Sequence, residues 1–324
     1  MIMCYLIVLA LLLGLEFVYF KIAAKFNIID KPNERSSHSR VTLRGGGIVF
    51  LLGILLYALF FGITYPWFGC GLVLIALISF ADDVHSVPNR VRIVVHFVSM
   101  LLMFYEWDIL EASQWVYVLA AWIVCTGIIN AFNFMDGING ITGGYSLSVL
   151  VPLMIVNRNT PFVSQDLLLV VGMSLLVFCF FNFRTKARCF AGDVGAVSIA
   201  FILLFALGRL ILQTGELWYL IFFAVYGVDS VLTICHRLML HENIFKPHRK
   251  HAYQLMANEL KMPHVAVSSI YLALQLVISI GAIYLPMDKW LYFGVTLALL
   301  CAAYIVFMHR YYPLHAANLK TLNK

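Results

Sequence analysis

The stretch Phe80–Arg92, FADDVHSVPNRVR, decides how this chain is read. Two adjacent carboxylates, Asp82 and Asp83, close an apolar run and meet a turn containing Pro88, followed by Arg90 and Arg92. Moving even one such acid into a bilayer core costs roughly 2.5 to 3.5 kcal/mol, so the pair belongs at an aqueous mouth or beside a cation. On a helix, neighbouring side chains diverge by about 100°, so the two acids are expected to divide their work, one toward a metal and the other toward substrate. A solvated helix end would account for the dipeptide equally well, and the rest of the chain has to decide.

Outward from this stretch the chain is apolar. Of its 324 residues 62% are hydrophobic and 12% charged, and the mean hydropathy is +0.91, outside the range of soluble globular proteins. The expectation is an all-α polytopic membrane protein forming a single domain over residues 1–324. From Met1 to Ala24 the chain is apolar without a small-residue cleavage site, which reads as a retained helix rather than a signal peptide. Further apolar runs lie at about 46–62, 67–81, 92–106, 115–133, 142–156, 167–183, 194–213, 217–236, 265–285 and 289–308, giving about eleven spans, with ten as the other count.

Lysine and arginine collect on the cytoplasmic side of membrane proteins. With the N terminus outside and the connections alternating, only Arg158, Arg209 and Lys289 of the 22 Lys and Arg fall outside. That places the C terminus and the Asp82–Asp83 mouth on the cytoplasmic face. The outer connections are short and poor in catalytic residue types, so the chemistry is expected inside. The seven cysteines are scattered without a C-x-x-C pair and read as small apolar fillers. The net charge of +6 is the ordinary signature of basic inner loops, with anionic lipid rather than nucleic acid as the partner.

The inner segments carry the remaining signals. Asn27–Gly47, NIIDKPNERSSHSRVTLRGGG, offers Arg35, His38 and Arg44 and ends in three glycines. It reads either as a phosphate-facing loop or as a basic connector. Asn130–Gly144 spaces Asn130, Asn133, Asp136 and Asn139 three apart, a spacing that favours one helix face. Polar groups at a lipid-embedded helix end are costly unless used. Asn182–Gly195 leads from Asn182 through a basic stretch to Asp193 between glycines, a free carboxylate or an N-cap. The last segment begins with an acid inside a span, Asp229, and continues HRLMLHENIFKPHRKHAYQL. His248 and His251 could share a helix face, but no further ligand stands at zinc spacing. With Arg249 and Lys250 between them they suit a diphosphate better.

Several acids, amides and cations on one face of a lipid-embedded bundle are the chemistry of a magnesium-bound diphosphate. The motifs IDKPNERSSHSRVTLRGGG, ADDVHSVPNRVR, NAFNFMDGING, FAGDVGA and DSVLTICHRLMLHENIFKPHRKHAYQ, in order over about residues 25 to 255 on alternate inner loops, resemble the polyprenyl-phosphate N-acetylaminosugar-1-phosphate transferases, the MraY- and WecA-like family. The resemblance implies a ten- or eleven-helix enzyme of the bacterial inner membrane, dependent on Mg²⁺ with Mn²⁺ as the alternative ion. It would transfer a sugar-1-phosphate from a UDP-amino sugar to undecaprenyl phosphate and release UMP. It assigns catalysis to Asp82, Asp83 and Asp193, with Asp82 or Asp83 as the base, and metal binding to Asp193 and Asp83. Substrate contacts fall to Asn133, Asp136, Asn182, Arg35, His38, His248, Arg249 and His251. A homodimer is among the expected partners.

The chain departs from the peptidoglycan branch: Ser86 replaces a lysine, Asn139 stands where a second acid is common, and HRKHAYQ replaces a triple-histidine run. It looks closer to the branch that starts O-antigen or capsule synthesis, and an N-acetylhexosamine is the expected sugar. Muramyl-pentapeptide transfer and a proton-coupled transporter are the alternatives, the latter weakened by the absence of an inverted repeat. Direct in-line attack is the expected mechanism, with a phospho-aspartate route behind it.

Overall fold

The computed structural model describes residues 1–30, 41–111, 115–244 and 248–322. The chain runs through α1 (Ile2–Lys25), a short antiparallel pair β1 (Ile29–Asp30) and β2 (Thr42–Leu43), then α2 (Ile48–Phe61), α3 (Pro66–Val84), α4 (Asn89–Glu106) and α5 (Trp115–Met135). It continues with α6 (Ile141–Asn159), α7 (Gln165–Asn182), α8 (Gly192–Thr214), a 3₁₀ turn over Leu217–Phe223 that runs into α9 (Ala224–Met239), the short α10 (Ala252–Asn258), α11 (His264–Tyr284) and α12 (Lys289–Leu322). Each of the eleven expected apolar runs falls on one of these helices. Among the described residues eight segments are long and apolar enough to cross a membrane, and α2 is apolar but shorter. The other two, α4 and α6, open with Arg90 and Arg92 and with Thr142-Gly-Gly-Tyr-Ser respectively, which lowers their hydropathy.

Burial ranks the helices. α8, GDVGAVSIAFILLFALGRLILQT, is apolar all round and is enclosed along nearly its whole length. α3, α5 and α6 pack around it, whereas α12 and much of α1 and α5 turn residues such as Ile305, Val306, Leu6 and Ile123 outward. An exposed apolar surface of this kind suits lipid rather than water.

The break between the 3₁₀ turn and α9 exposes backbone groups that lipid cannot satisfy. Gln275 of α11 closes it, donating from Nε2 to the Ile221 carbonyl at 3.0 Å and accepting the Val225 N–H at 3.0 Å. Tyr145 of α6 donates to the same glutamine at 2.8 Å and lies 3.5 Å from Tyr226, ring on ring. These buried contacts fix α6, α9 and α11 to one another.

Candidate functional site

Asp82 and Asp83 diverge as their adjacency in α3 requires, but each meets an arginine. The Asp82 Oδ2 takes Arg92 Nη1 at 2.6 Å, and its Oδ1 accepts the Val87 N–H at 2.8 Å, holding the turn into α4. Asp83 points the other way. Its carboxylate accepts the N–H groups of Asp193 and Val194 at 2.9 and 3.0 Å, and its Oδ1 lies 2.7 Å from Arg44 Nε. Asp83 therefore caps α8 from another helix, a use of the positive helix end that no spacing in the sequence announces. Asp193, read above as a free acid or an N-cap, does not cap its own helix.

The two arginines converge on Asp193. Arg44 Nη2 lies 3.1 Å from one of its oxygens and Arg92 Nη2 lies 3.4 Å from the other. The order Asp82, Arg92, Asp193, Arg44, Asp83 is thus one alternating chain of charge drawn from α3, α4, α8 and the turn before α2. Three carboxylates against two guanidinium groups leave one negative charge uncompensated, with Asp193 at the centre.

The glycine run before α2 has a different job from cradling phosphate. The N–H groups of Gly46 and Gly47 donate to the carbonyls of Phe190 and Ala191 at 2.9 and 3.1 Å. A Cβ on Gly47 would lie 2.1 Å from the Gly195 Cα, so α2 and α8 start in backbone contact. Gly192, at φ +71°, leaves room for the Asp83 carboxylate, which a Cβ there would meet at 2.5 Å.

Beside Asp193 opens a cavity of about 610 Å³, within the range of small-molecule sites. Its polar lining comes from Asn89, Arg92 and His96 of α4, Thr126, Asn130 and Asn133 of α5, Asp193, His248 and His251. Its apolar lining comes from Ile93, Phe97, Met100, Trp122, Ile129, Phe134 and Ile244. Of the expected site residues, Asp193, Asn133, His248 and His251 line it. Asp82, Asp83, Asp136, Asn182 and Arg249 are not among its lining residues. Arg35 and His38 lie outside the described residues.

The reasons differ. The spacing of three carries only Asn130 and Asn133 to the cavity because α5 ends at Met135. Asp136 turns away and accepts from the Thr142 hydroxyl at 2.5 Å. Asn182 is consumed as a clip, accepting the Gly140 N–H and donating to the Cys189 carbonyl, both at 2.8 Å. His248 and His251 do not share a helix, since α10 begins at Ala252, yet their rings are 5.0 Å apart. Burial, reinforced by His251, Arg237 and Lys250, holds His248 down at about 3. His248 is thus neutral near pH 7 and offers hydrogen bonds rather than charge. Lys250 and Arg237 are both committed to Glu242. His251 is buried, with Nδ1 3.2 Å from Asp229 Oδ1.

Asp136 yields a pH prediction. Burial pushes its carboxyl up to about 7; repulsion from Asp193 and Asp83 adds to this, and the Thr142 bond opposes it. The unfolded chain releases the proton near 3.8, so the Asp136 contribution to stability is full below that pH and is lost by about pH 7. Asp136→Asn is expected to remove this decline, and thermal unfolding in detergent between pH 4 and 8 measures it. Superimposable wild-type and variant profiles would refute it.

The charge chain bears on a metal. Among the described residues no three ligating side chains stand grouped for one. Asp83 is taken up by two amides and Arg44, and Asp82 by Arg92 and a backbone amide. Asp193, although its two oxygens face Arg44 and Arg92, is the one carboxylate of the three that lines the cavity, and the trio carries one more charge than its two arginines. That fits an ion such as Mg²⁺, which takes one or two carboxylates and completes its shell with substrate phosphate and water.

Residues 65–211 match the model of a family described as glycosyl transferase family 4. A Bacillus subtilis (strain 168) protein named "probable undecaprenyl-phosphate N-acetylglucosaminyl 1-phosphate transferase" is 28% identical, the match covering 82% of this chain and 79% of that one. The undecaprenyl-phosphate alpha-N-acetylglucosaminyl 1-phosphate transferase of Escherichia coli (strain K12) is 27% identical over 82% of this chain and 80% of its own. A phospho-N-acetylmuramoyl-pentapeptide-transferase of Thermotoga maritima is 28% identical over 58% of this chain and 66% of its own. The chain is similar to these transferases, and its match to the glycosyl transferase family 4 model runs from the start of α3 into the last turn of α8.

Proposed function

We propose that this protein transfers a sugar-1-phosphate, an N-acetylhexosamine-1-phosphate, from a UDP-sugar to undecaprenyl phosphate, giving the lipid diphosphate sugar and UMP. The observation that carries the reading is Asp193 held between Arg44 and Arg92 in the lining of a cavity that presents both polar and apolar side chains. A phosphorylated lipid and a nucleotide sugar need both environments at once. The N-acetylglucosaminyl relatives match over more of this chain than the muramoyl-pentapeptide relative, which supports the smaller sugar. The basic inner loops support a cytoplasmic site in a bacterial inner membrane.

In this reading the lipid phosphate attacks the sugar-side phosphorus in line, and the bond to the UMP oxygen breaks. Arg92 and Arg44 hold Asp193 in place and turn toward the anionic oxygens as substrate enters. Asn130 and Asn133 supply amides from α5, and the apolar side chains that α4 and α5 also present there limit access of water. Asp193 would hold Mg²⁺, or Mn²⁺, which when bound neutralises charge on the diphosphate. Asp82 and Asp83 act through the arginines they fix. Their oxygens are already engaged, which favours direct displacement over a phospho-aspartate.

The test is UMP release by purified protein given a panel of UDP-sugars. Release is expected with a UDP-N-acetylhexosamine only when undecaprenyl phosphate and Mg²⁺ are both present. Release without the lipid would mean hydrolysis, and none with any donor would overturn the proposal.

A further inference from the structure

Among the described residues His251 is the one cavity-lining group whose partner is a wholly enclosed carboxylate in α9. Asp229 Oδ1 faces His251 Nδ1 at 3.2 Å and also accepts the Ala252 N–H at 3.1 Å and the Thr233 hydroxyl at 3.2 Å. Its Oδ2 accepts the Tyr271 hydroxyl at 2.6 Å. Every neighbour is a donor, so Asp229 acts as a carboxylate that can only accept, and the nitrogen facing it must carry the proton. In the neutral ring the lone pair then sits on Nε2, a buried atom without a hydrogen-bond partner in a ring that lines the cavity. The acid pair offers nothing comparable, because the oxygens of Asp82 and Asp83 are engaged by arginines and backbone amides.

We propose that His251 Nε2 is the proton-accepting group of the transfer reaction and that Asp229 is the positioning residue that fixes its tautomer. The inference rests on the transferase reading above. The lipid phosphate monoester gives its proton to Nε2. Its freed oxygen forms the bond to the sugar-side phosphorus, the bond between that phosphorus and the bridging oxygen breaks, and the electron pair leaves on UMP. The proton on Nε2 then passes to the UMP phosphate, returning the ring to its starting state with no net change in charge.

The groups facing the ring set the pH response. Asp229 of α9, with Tyr271 of α11 behind it, lies on the Nδ1 side; His248 and Tyr253 flank the ring; Arg92, His96 and Asp193 share the cavity with it. Asp229→Asn can turn an N–H toward Nδ1 and force the proton onto Nε2, where it blocks acceptance.

The experiment pairs nitrogen-15 histidine NMR of the purified protein with steady-state kinetics. The wild type is expected to show the His251 ring protonated at Nδ1, and Asp229→Asn the reverse. Asp229→Asn is expected to lower kcat by about 10²- to 10⁴-fold with KM for both substrates within about threefold, and to lose the acid limb of the pH profile. His251→Gln covers the case in which Asp229→Asn fails to fold: its kcat should fall as far, with no additive loss in the double variant. A wild-type ring protonated at Nε2, or a His251→Gln enzyme with wild-type kcat and pH profile, overturns the proposal. Absence of turnover by the wild type on every donor would defeat the transferase reading instead, while the NMR result still decides the tautomer.

Discussion

Asp193→Asn is expected to abolish measurable transfer, lowering kcat by about 10³-fold or more, while the protein still folds. Asparagine keeps the size of the side chain and removes its charge. Arg44 retains Asp83 at 2.7 Å and Arg92 retains Asp82 at 2.6 Å, so neither guanidinium is left alone. The partial exposure of these groups limits the lost attraction to about 1 kcal/mol, a small shift in melting temperature. Activity is another matter, because Asp193 is the only member of the aspartate trio that lines the cavity. If it meets the divalent ion, the Mg²⁺ concentration for half-maximal rate should rise at least about tenfold in whatever activity remains. Titrating Mg²⁺ against UMP release measures both effects. A variant within threefold of wild type would remove Asp193 from the reacting centre.

The helices were legible because each is an apolar run of membrane length, and the cost of polar backbone in lipid leaves little else for such a run to become. The side on which polar groups gather was legible from the same expense. What pairs with what was not. Asp83 and the Asp193 amide it accepts are 110 residues apart, and only the packing of α3 against α8 brings them together. Asn182 is expected at the substrate only through the resemblance, and its buried amide has the backbone of Gly140 and Cys189 as partners. Arg44 reads either as part of a phosphate-facing loop or as part of a basic connector, and Arg92 as a basic residue of an inner loop. Their role depends on reaching two acids each, a property of the folded geometry alone. Asp229 carried the one signal that spacing could offer, an acid inside a span, without naming its histidine.

Asp83→Asn is expected to damage the fold as well as the reaction. The carboxylate is enclosed, its side chain showing 0% exposure, and it serves two amides of α8 and Arg44 at once. An amide in its place leaves one oxygen to accept and turns an NH₂ group against a donor, so at least one buried partner goes unsatisfied. Breaking a fully buried ion pair costs about 3 to 5 kcal/mol, and the 34% exposure of Arg44 reduces this to about 2 to 3 kcal/mol. The start of α8 carries Asp193, so the same change misplaces that carboxylate, and kcat should fall by about 10²-fold or more. Asp82→Asn should be milder in stability, because Asp82 is partly exposed and Arg92 keeps Asp193. Arg44→Lys separates charge from geometry: a single ammonium cannot reach Asp83 and Asp193 together as Nε and Nη2 do, so charge is kept and bridging is lost. If bridging is what aligns α8, Arg44→Lys should resemble Asp83→Asn in activity and the wild type in melting temperature. Equal melting temperatures for Asp83→Asn and Asp82→Asn in detergent would show instead that the capping of α8 by Asp83 contributes nothing to the fold.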